Sequence, residues 1–242
     1  MASVDIVIPV YNEEHVLADS VSTLRKFLAQ DFPHHYRIVV ADNASTDGTL
    51  EVAQRLAQKH PDVASLHIPQ KGRGRALRAA WLTSPADILS YMDVDLSTDL
   101  AAFLPLIEAI ASEGYDIAIG SRLAREADIR RSLRREVISR SYNVMIKALF
   151  FTRFSDAQCG FKAASRRAVQ ELVPLIENNE WFFDTELLIL AEKAGYRVKE
   201  IPVRWLEDPD TRVNVPKTVW EDVRGLLRLR LRRPWRGRRG AA

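Results

Sequence analysis

The sequence predicts an α/β domain organised around a mostly parallel β-sheet with helices packed on both faces. Short β-branched runs alternate with stretches whose apolar residues recur at helical spacing, the βαβα order of a parallel sheet. The strand-like runs are apolar almost throughout, as strands covered on both sides are. The residues that follow them are acids, bases and glycines, which suits the ligand-binding edge of an open α/β sheet.

Residues 4–10 read as a buried strand running into the turn Pro9-Val10-Tyr11-Asn12. Residues 13–29 then carry Val16, Leu17, Val21, Leu24, Phe27 and Leu28 at helical spacing. Strands at 37–41, 64–68, 87–92 and 115–119 alternate with helices at 47–59, 74–82 and 99–112. The second part is different in kind. An arginine-rich helix is expected at 129–151, further helices at 166–176 and 183–194, a strand at 196–205 and a final amphipathic helix at 215–231. One domain over 1–223, followed by a basic tail over 224–242, is the expected organisation.

The chain has 242 residues, 47% apolar and 28% charged, the composition of a globular domain rather than a fibrous or disordered one. The single cysteine, Cys159, excludes an internal disulfide and fits a reducing compartment. The opening residues have no basic and apolar regions of the kind a secretory leader needs, so none is expected. No apolar run approaches the roughly 18–20 residues that span a bilayer. The net charge of +3 hides an asymmetry. From Arg224 onward there are eight arginines and no acid, leaving 27 basic against 32 acidic residues, a net −5, in the rest. Leu226, Leu227, Leu229, Leu231 and Trp235 interleave with those arginines. Such an end on a mildly acidic body fits an anionic membrane surface; a solvated, frayed terminus is the plain alternative. A cytoplasmic protein, peripheral at the cytoplasmic face of a membrane and without a nucleic-acid partner, is the expectation that follows.

Four motifs carry chemistry. Asp93-Val94-Asp95 puts two carboxylates on alternate positions at a strand end, where a hard divalent cation shared with substrate phosphates takes one or two protein carboxylates. Asp42, in Asp42-Asn43-Ala44-Ser45-Thr46-Asp47-Gly48-Thr49, is placed to accept bonds from a base or ribose, with Ser45 or Thr46 available to cap the next helix. Lys71-Gly72-Arg73-Gly74 offers glycine backbone and two cations at a helix N-terminus, which suits phosphate. Seven arginines lie between Arg122 and Arg140, and guanidinium grips phosphate bidentately. Each motif also has a bland reading, as a solvated turn, a capping box, a surface loop or a charged helix face. The five histidines are expected to be structural or at the surface, and Cys159 to be a small packing residue.

Taken in order, these residues resemble family 2 glycosyltransferases over roughly residues 4–215. The opening Ile8-Pro9-Val10-Tyr11-Asn12-Glu13-Glu14 and the three donor-side motifs match in order and spacing. Within the family the likeness is to polyprenyl-phosphate sugar synthases of the dolichyl-phosphate glucose and mannose type. It extends through Gly120-Ser121-Arg122, the stretch from Arg134 to Arg140, Asp156-Ala157-Gln158-Cys159-Gly160-Phe161-Lys162 and Trp181-Phe182-Phe183-Asp184-Thr185-Glu186. The resemblance implies a GT-A fold, with a Rossmann-like sheet, and a Mg2+ or Mn2+ ion. It implies that Pro9, Tyr11, Glu13 and Asp42 line the nucleobase pocket. Lys71, Arg73 and Gln158 would also lie on the donor side. Asp93 would contact the ribose or the metal region, Asp95 would be the main metal ligand, and Arg122 and Arg135 would hold the acceptor phosphate. Mannose-type relatives commonly place a glutamine two residues after the second acid of the metal motif; Ser97 stands there in this chain.

The implied reaction is inverting transfer of a hexose from a nucleoside diphosphate sugar to a polyprenyl phosphate. The Lys71-Gly72-Arg73-Gly74 motif leans toward UDP-glucose over GDP-mannose. A phosphate monoester is largely ionised near neutral pH, its second pKa being about 6, so it needs positioning rather than a strong base. A hydroxyl acceptor, glycan or small molecule, is the alternative, and it would need Asp184 or Glu186 as general base. A nucleotidyltransferase is a further rival. Tyr11-Asn12-Glu13-Glu14 counts against it, standing where that class carries a glycine-rich basic loop.

Overall fold

The computed structural model describes residues 1–124, 127–130, 133–206 and 215–236, apart from the side chains of 128–130, 133–135 and 215–217. Strand β1 (Ser3–Val10) is the centre from which the sheet grows. It pairs in parallel with β2 (His35–Asn43) on one side and β4 (Ile88–Met92) on the other, and β3 (Val63–Ile68) adds in parallel beyond β2. Successive residues of these strands enter different cores. Ile6, Ile8, Ile38 and Val40 pack with Leu17, Val21, Leu24 and Leu28 of helix α1 (Leu17–Asp31). Val7, Val39 and Leu89 pack with Ala76, Leu77 and Trp81 of helix α3 (Arg73–Thr83). That two-residue alternation between two apolar clusters is why the strands read as continuous apolar runs. Helix α2 (Thr49–Lys59) joins β2 to β3.

Beyond β4 the chain departs from simple alternation. Helix α4 (Phe103–Ala111) leads to β5 (Ile117–Ser121), which does not pair with β4. A strand from further along, β7 (Phe161–Ser165), lies between them and runs antiparallel to both. Strand β8 (Val198–Pro202) completes the sheet in parallel with β5, giving the order β3-β2-β1-β4-β7-β5-β8. The expected mostly parallel sheet with helices on both faces is therefore present, with one reversed strand that the sequence reading did not contain.

Other boundaries differ for identifiable reasons. The expected helix at 129–151 divides into a short strand, β6 (Asp128–Arg130), and helix α5 (Leu133–Phe150). The expected strand at 196–205 breaks after Pro202: Arg204–Leu206 forms β9, which pairs with β6 outside the main sheet. Helix α6 (Arg166–Leu172) tightens into a 3-10 turn at Val173–Leu175, where Pro174 cannot continue the α-helical bonding. Helix α7 (Phe183–Ala194) ends as expected, on Gly195 with φ of 87°. The last helix, α8 (Val215–Arg232), runs unbroken across the boundary expected between 223 and 224. Leu226 and Leu229 are buried in the core shared by α5 and α7, and the Trp235 ring stands edge-on to Phe150 at 6.1 Å. Within the described residues, no helix is long and apolar enough to cross a membrane.

Candidate active site

The carboxyl ends of β1, β2, β4 and β5 open on one edge of the sheet. The turns after β1 and β2 are clamped together there. The Asn12 N–H donates to Ser45 Oγ at 2.9 Å, the Thr46 N–H to Asn12 Oδ1 at 2.8 Å and the Glu13 N–H to Thr49 Oγ1 at 2.8 Å. Ser45 and Thr46 thus join two loops rather than capping α2, whose Thr49 N–H is served by Asp47 Oδ1 at 3.0 Å. Pro9 lies within β1, and Tyr11 and Glu13 lie in the turn that follows. Asp42 is wholly buried at the end of β2, its carboxylate 2.7 Å from Nδ1 of His67 on β3. His67, expected to be structural or at the surface, orients Asp42 together with the Ser45 N–H, which donates to Asp42 Oδ1 at 3.3 Å. Asn43 was not singled out from sequence, yet it ties three segments. Its amide donates to the Val10 carbonyl at 2.6 Å and accepts the Gly72 N–H at 3.2 Å.

The lysine and arginine of Lys71-Gly72-Arg73-Gly74 part company. The Lys71 ammonium sits 3.6 Å over the Tyr11 ring on the exposed side. Arg73 opens α3 and turns inward, pairing with Asp184 at 2.6 Å and with Asp93 at 3.0 Å, above the rings of Tyr91 and Trp181. At the α3 N-terminus, expected to suit phosphate, two backbone donors are already taken: the Arg75 N–H donates to the Asn179 carbonyl at 3.0 Å and the Gly72 N–H to Asn43.

At the end of β4, Asp93 and Asp95 sit in different surroundings. Asp93 is held by Arg73 and rests on Gly160, where a Cβ would overlap its carboxylate. Asp95 is exposed and accepts the Ser97 N–H at 3.0 Å. Leu96 between them takes a left-handed φ of 50°, which turns the chain, and Thr98 bridges to Trp205 of β9. Among the described residues no cluster of three or more acids, histidines or cysteines could hold a metal unaided. A hard cation shared with a diphosphate needs only one or two protein carboxylates, so the Asp93–Asp95 pair fits that case.

Arg122, expected to hold the acceptor phosphate, lies just past β5 and is itself held by Asp156. Its Nε and Nη2 donate to Asp156 at 2.8 and 3.0 Å, and its own N–H donates to the same carboxylate at 3.0 Å. The guanidinium lies 5.3 Å over Trp205. Burial pulls the Asp156 carboxyl upward, but Arg122 outweighs it and holds the group below the usual carboxylate range. Arg135 begins α5, and its side chain lies outside the described residues. Gln158 reaches α8, donating from Nε2 to Asp222 at 3.3 Å.

Asp184, expected as a possible base, lies beneath the site. Its Oδ2 takes Arg73, its Oδ1 takes the Tyr91 hydroxyl, and the wholly buried Lys162 ammonium stands 3.4 Å away. Burial raises its pKa, but Lys162, Arg73 and Tyr91 together leave it below the ordinary value. Glu186 is equally enclosed, bonded by the Glu177 and Asn178 N–H groups and paired with Arg228 at 2.6 Å. In the sequence Lys162 and Asp156 stand out only as members of a motif, and neither the partner of a buried charge nor its depth is written in spacing. Tyr91 is marked by the sequence only as a strand residue.

A sheet with one reversed strand, whose carboxyl edge gathers an acid pair and several cations, is the GT-A fold, and the chain belongs to glycosyl transferase family 2. The model of that family matches residues 5–173, from within β1 to beyond β7. Among its relatives, glycosyltransferase AglD of Haloferax volcanii is 38% identical over 89% of this chain and 35% of its own length. A dolichyl-phosphate beta-glucosyltransferase of Drosophila melanogaster is 32% identical over 84% of this chain and 66% of its own. The chain thus spans about a third of the one relative and about two thirds of the other. Solved structures with the same fold include glucosyl-3-phosphoglycerate synthase from Mycobacterium tuberculosis, in complex with Mn2+, uridine diphosphate and glucosyl-3-phosphoglycerate. It has a TM-score of 0.69 at 18% identity, covering 94% of this chain and 79% of that one. Mannosyl-3-phosphoglycerate synthase from Rubrobacter xylanophilus gives 0.73 at 17%, covering 96% and 75%.

Proposed function

We propose that this chain transfers a hexose, glucose in preference to mannose, from a nucleoside diphosphate sugar to a polyprenyl phosphate, with inversion at the anomeric carbon. The observation that carries the choice of acceptor is the burial of Asp184. The acid that would deprotonate a hydroxyl acceptor is 4% exposed, salt-bridged to two cations and held ionised. Glu186 is 1% exposed and bonded on both oxygens. An enzyme arranged this way suits a nucleophile that arrives already ionised, as a phosphate does. The names of the relatives supply glucose and dolichyl phosphate, and a glucosyl donor on uridine diphosphate is the corresponding reading.

In this reading Asp42, oriented by His67, with Pro9, Tyr11 and Glu13, takes the nucleoside. Asp95 and Asp93 would hold a Mg2+ or Mn2+ ion with the diphosphate, and that ion would offset the charge of the leaving group. Lys71, and Arg73 from below, add positive potential on the same side. Arg122, fixed by Asp156, orients the acceptor phosphate, together with Arg135. A phosphate oxygen forms its bond to the anomeric carbon as the bond to the diphosphate breaks, and a single displacement inverts configuration. Asp184 acts as the residue that positions Arg73.

The test is to supply UDP-glucose or GDP-mannose with a polyprenyl phosphate and Mg2+ or Mn2+, and to follow sugar into an organic phase. Glucose should enter from UDP-glucose, with release of UDP. Pyrophosphate release would sink the reading in favour of nucleotidyl transfer, and transfer only to hydroxyl acceptors would sink the lipid assignment. Asp95→Ala should lower turnover by at least about a hundredfold, the scale of losing a charge-stabilising group. Substantial remaining turnover would remove Asp95 from the metal site.

A further inference from the structure

Two neighbouring helices carry large apolar side chains on their outer sides. On α8, Trp220, Leu227 and Leu231 stand at i, i+7 and i+11, with Arg224 at i+4, so all four share one side of the helix. Trp220 is 69% exposed and Leu231 81%. The opposite side of the same helix carries Asp222, Leu226 and Leu229, all buried. On α5, Val137 and Val144 are exposed one heptad apart, and Phe151, 79% exposed, follows at the end of the helix. Tyr142, Ile146 and Phe150 of α5 share a core with Leu226 and Leu229 of α8, so the two helices lie side by side. Large apolar side chains exposed in a row on one side of α8, beside a second helix with exposed apolar side chains of its own, mark an interaction site rather than scattered surface residues.

Charge identifies the occupant. Arg224 and Arg230 are exposed along α8, as is Arg232, which pairs with Glu177 at 2.8 Å, and no acid follows Asp222 in the chain. A second copy of this chain would bring the arginines of one helix toward those of the other. An anionic bilayer answers both features: headgroups attract guanidinium, and a tryptophan and leucines enter the boundary beneath them.

We propose that the outer stripe of α8, with Val137, Val144 and Phe151 of α5, docks this protein on an anionic lipid bilayer. The surface deepens the lipid-acceptor reading and takes its purpose from it. The inner side of α8 reaches the site. Asp222 accepts from Gln158, two residues after the Asp156 that fixes Arg122, and Arg228 pairs with Glu186. One helix therefore separates the docking stripe from the loop that orients the acceptor-side arginine, and lipid and catalytic groups meet across a single layer.

The test compares the whole chain with Trp220→Ser/Leu227→Ser/Leu231→Ser and with Val144→Ser/Phe151→Ser. Co-sedimentation uses vesicles of phosphatidylcholine with phosphatidylglycerol, and of phosphatidylcholine alone. Leu82→Ser, an exposed leucine on α3, is the control. The wild type and the control should bind the anionic vesicles, less so in high salt, and each stripe variant should bind at least about tenfold more weakly with unchanged thermal unfolding. Wild-type binding to neither vesicle, or equal binding by wild type and both variants, would overturn the proposal. So would a stripe substitution that splits a dimer in light scattering while vesicle binding is unchanged. Activity on a short, water-soluble prenyl phosphate separates the two ideas. Its absence in the wild type defeats the acceptor reading and leaves the vesicle comparison to decide the surface; its retention in the stripe variants is the expected result.

Discussion

The buried charges of this site come in matched sets, so single substitutions should be costly in opposite ways. Asp156 neutralises Arg122 and is itself fully buried. Asp156→Ala strands a guanidinium inside the protein, and such losses run to about 3–5 kcal/mol. A clear drop in the urea midpoint is expected, together with loss of transfer. Asp222 has the reverse character. Burial, with Glu221 beside it, pushes its pKa from 3.8 up to about 7, against a bond from Tyr142. Between those values the folded protein keeps a proton that the unfolded chain has lost, so this residue's contribution falls as pH rises from about 4 to about 7. Asp222→Asn should flatten that slope in urea titrations across the window. Asp156 and Asp184 act with the other sign: their contribution is complete above the ordinary carboxylate range and is lost as pH falls through their depressed values. At this scale the sequence named most of the charged positions at the site but not their pairing. Arg122 was legible as an arginine beside the site. Its partner lies 34 positions onward, and only the fold brings the two together.

Among the elements, the periodic ones were legible and the short ones were not. Helices α1, α2, α3 and α7 follow from apolar spacing within a few residues at their ends. Strand β7 has the sequence Phe-Lys-Ala-Ala-Ser, with one strong β-former and a buried lysine, so tertiary pairing rather than propensity decides it. Strand β9 is three residues long and owes its place to β6 and to the bridge at Thr98. Helix α8 is the element whose standing changed most. Its charge suggested a detachable tail, yet Leu226, Leu229 and Arg228 are built into the core and into Glu186. Truncation after Val223 should therefore lower the melting temperature markedly, since each buried leucine removed costs about 2–5 kcal/mol. A Cβ at Gly225 would run into the Phe182 ring, and Gly225→Ala should cost about 1–3 kcal/mol by overpacking. Unchanged melting in either variant would mean that α8 does not rest on the core as described.

For the molecule as a whole, the most legible property was the edge of the sheet on which charged residues gather. Acids and cations followed the strand-like runs, and the ends of β1, β2, β4 and β5 do share one edge. The reversed strand was hidden because it joins the sheet from far along the chain, and so was a consequence for biosynthesis. Strands β1 to β4 can assemble as soon as they emerge, but the neighbour of β4 is encoded some seventy residues later. Until Ser165 has left the ribosome, a growing polypeptide that had already formed β1 to β4 would carry a bare, apolar sheet border. Unpaired borders of that kind invite association with other chains. The order in which the gene is read thus sets a period of vulnerability that ends only when the late strand zips in.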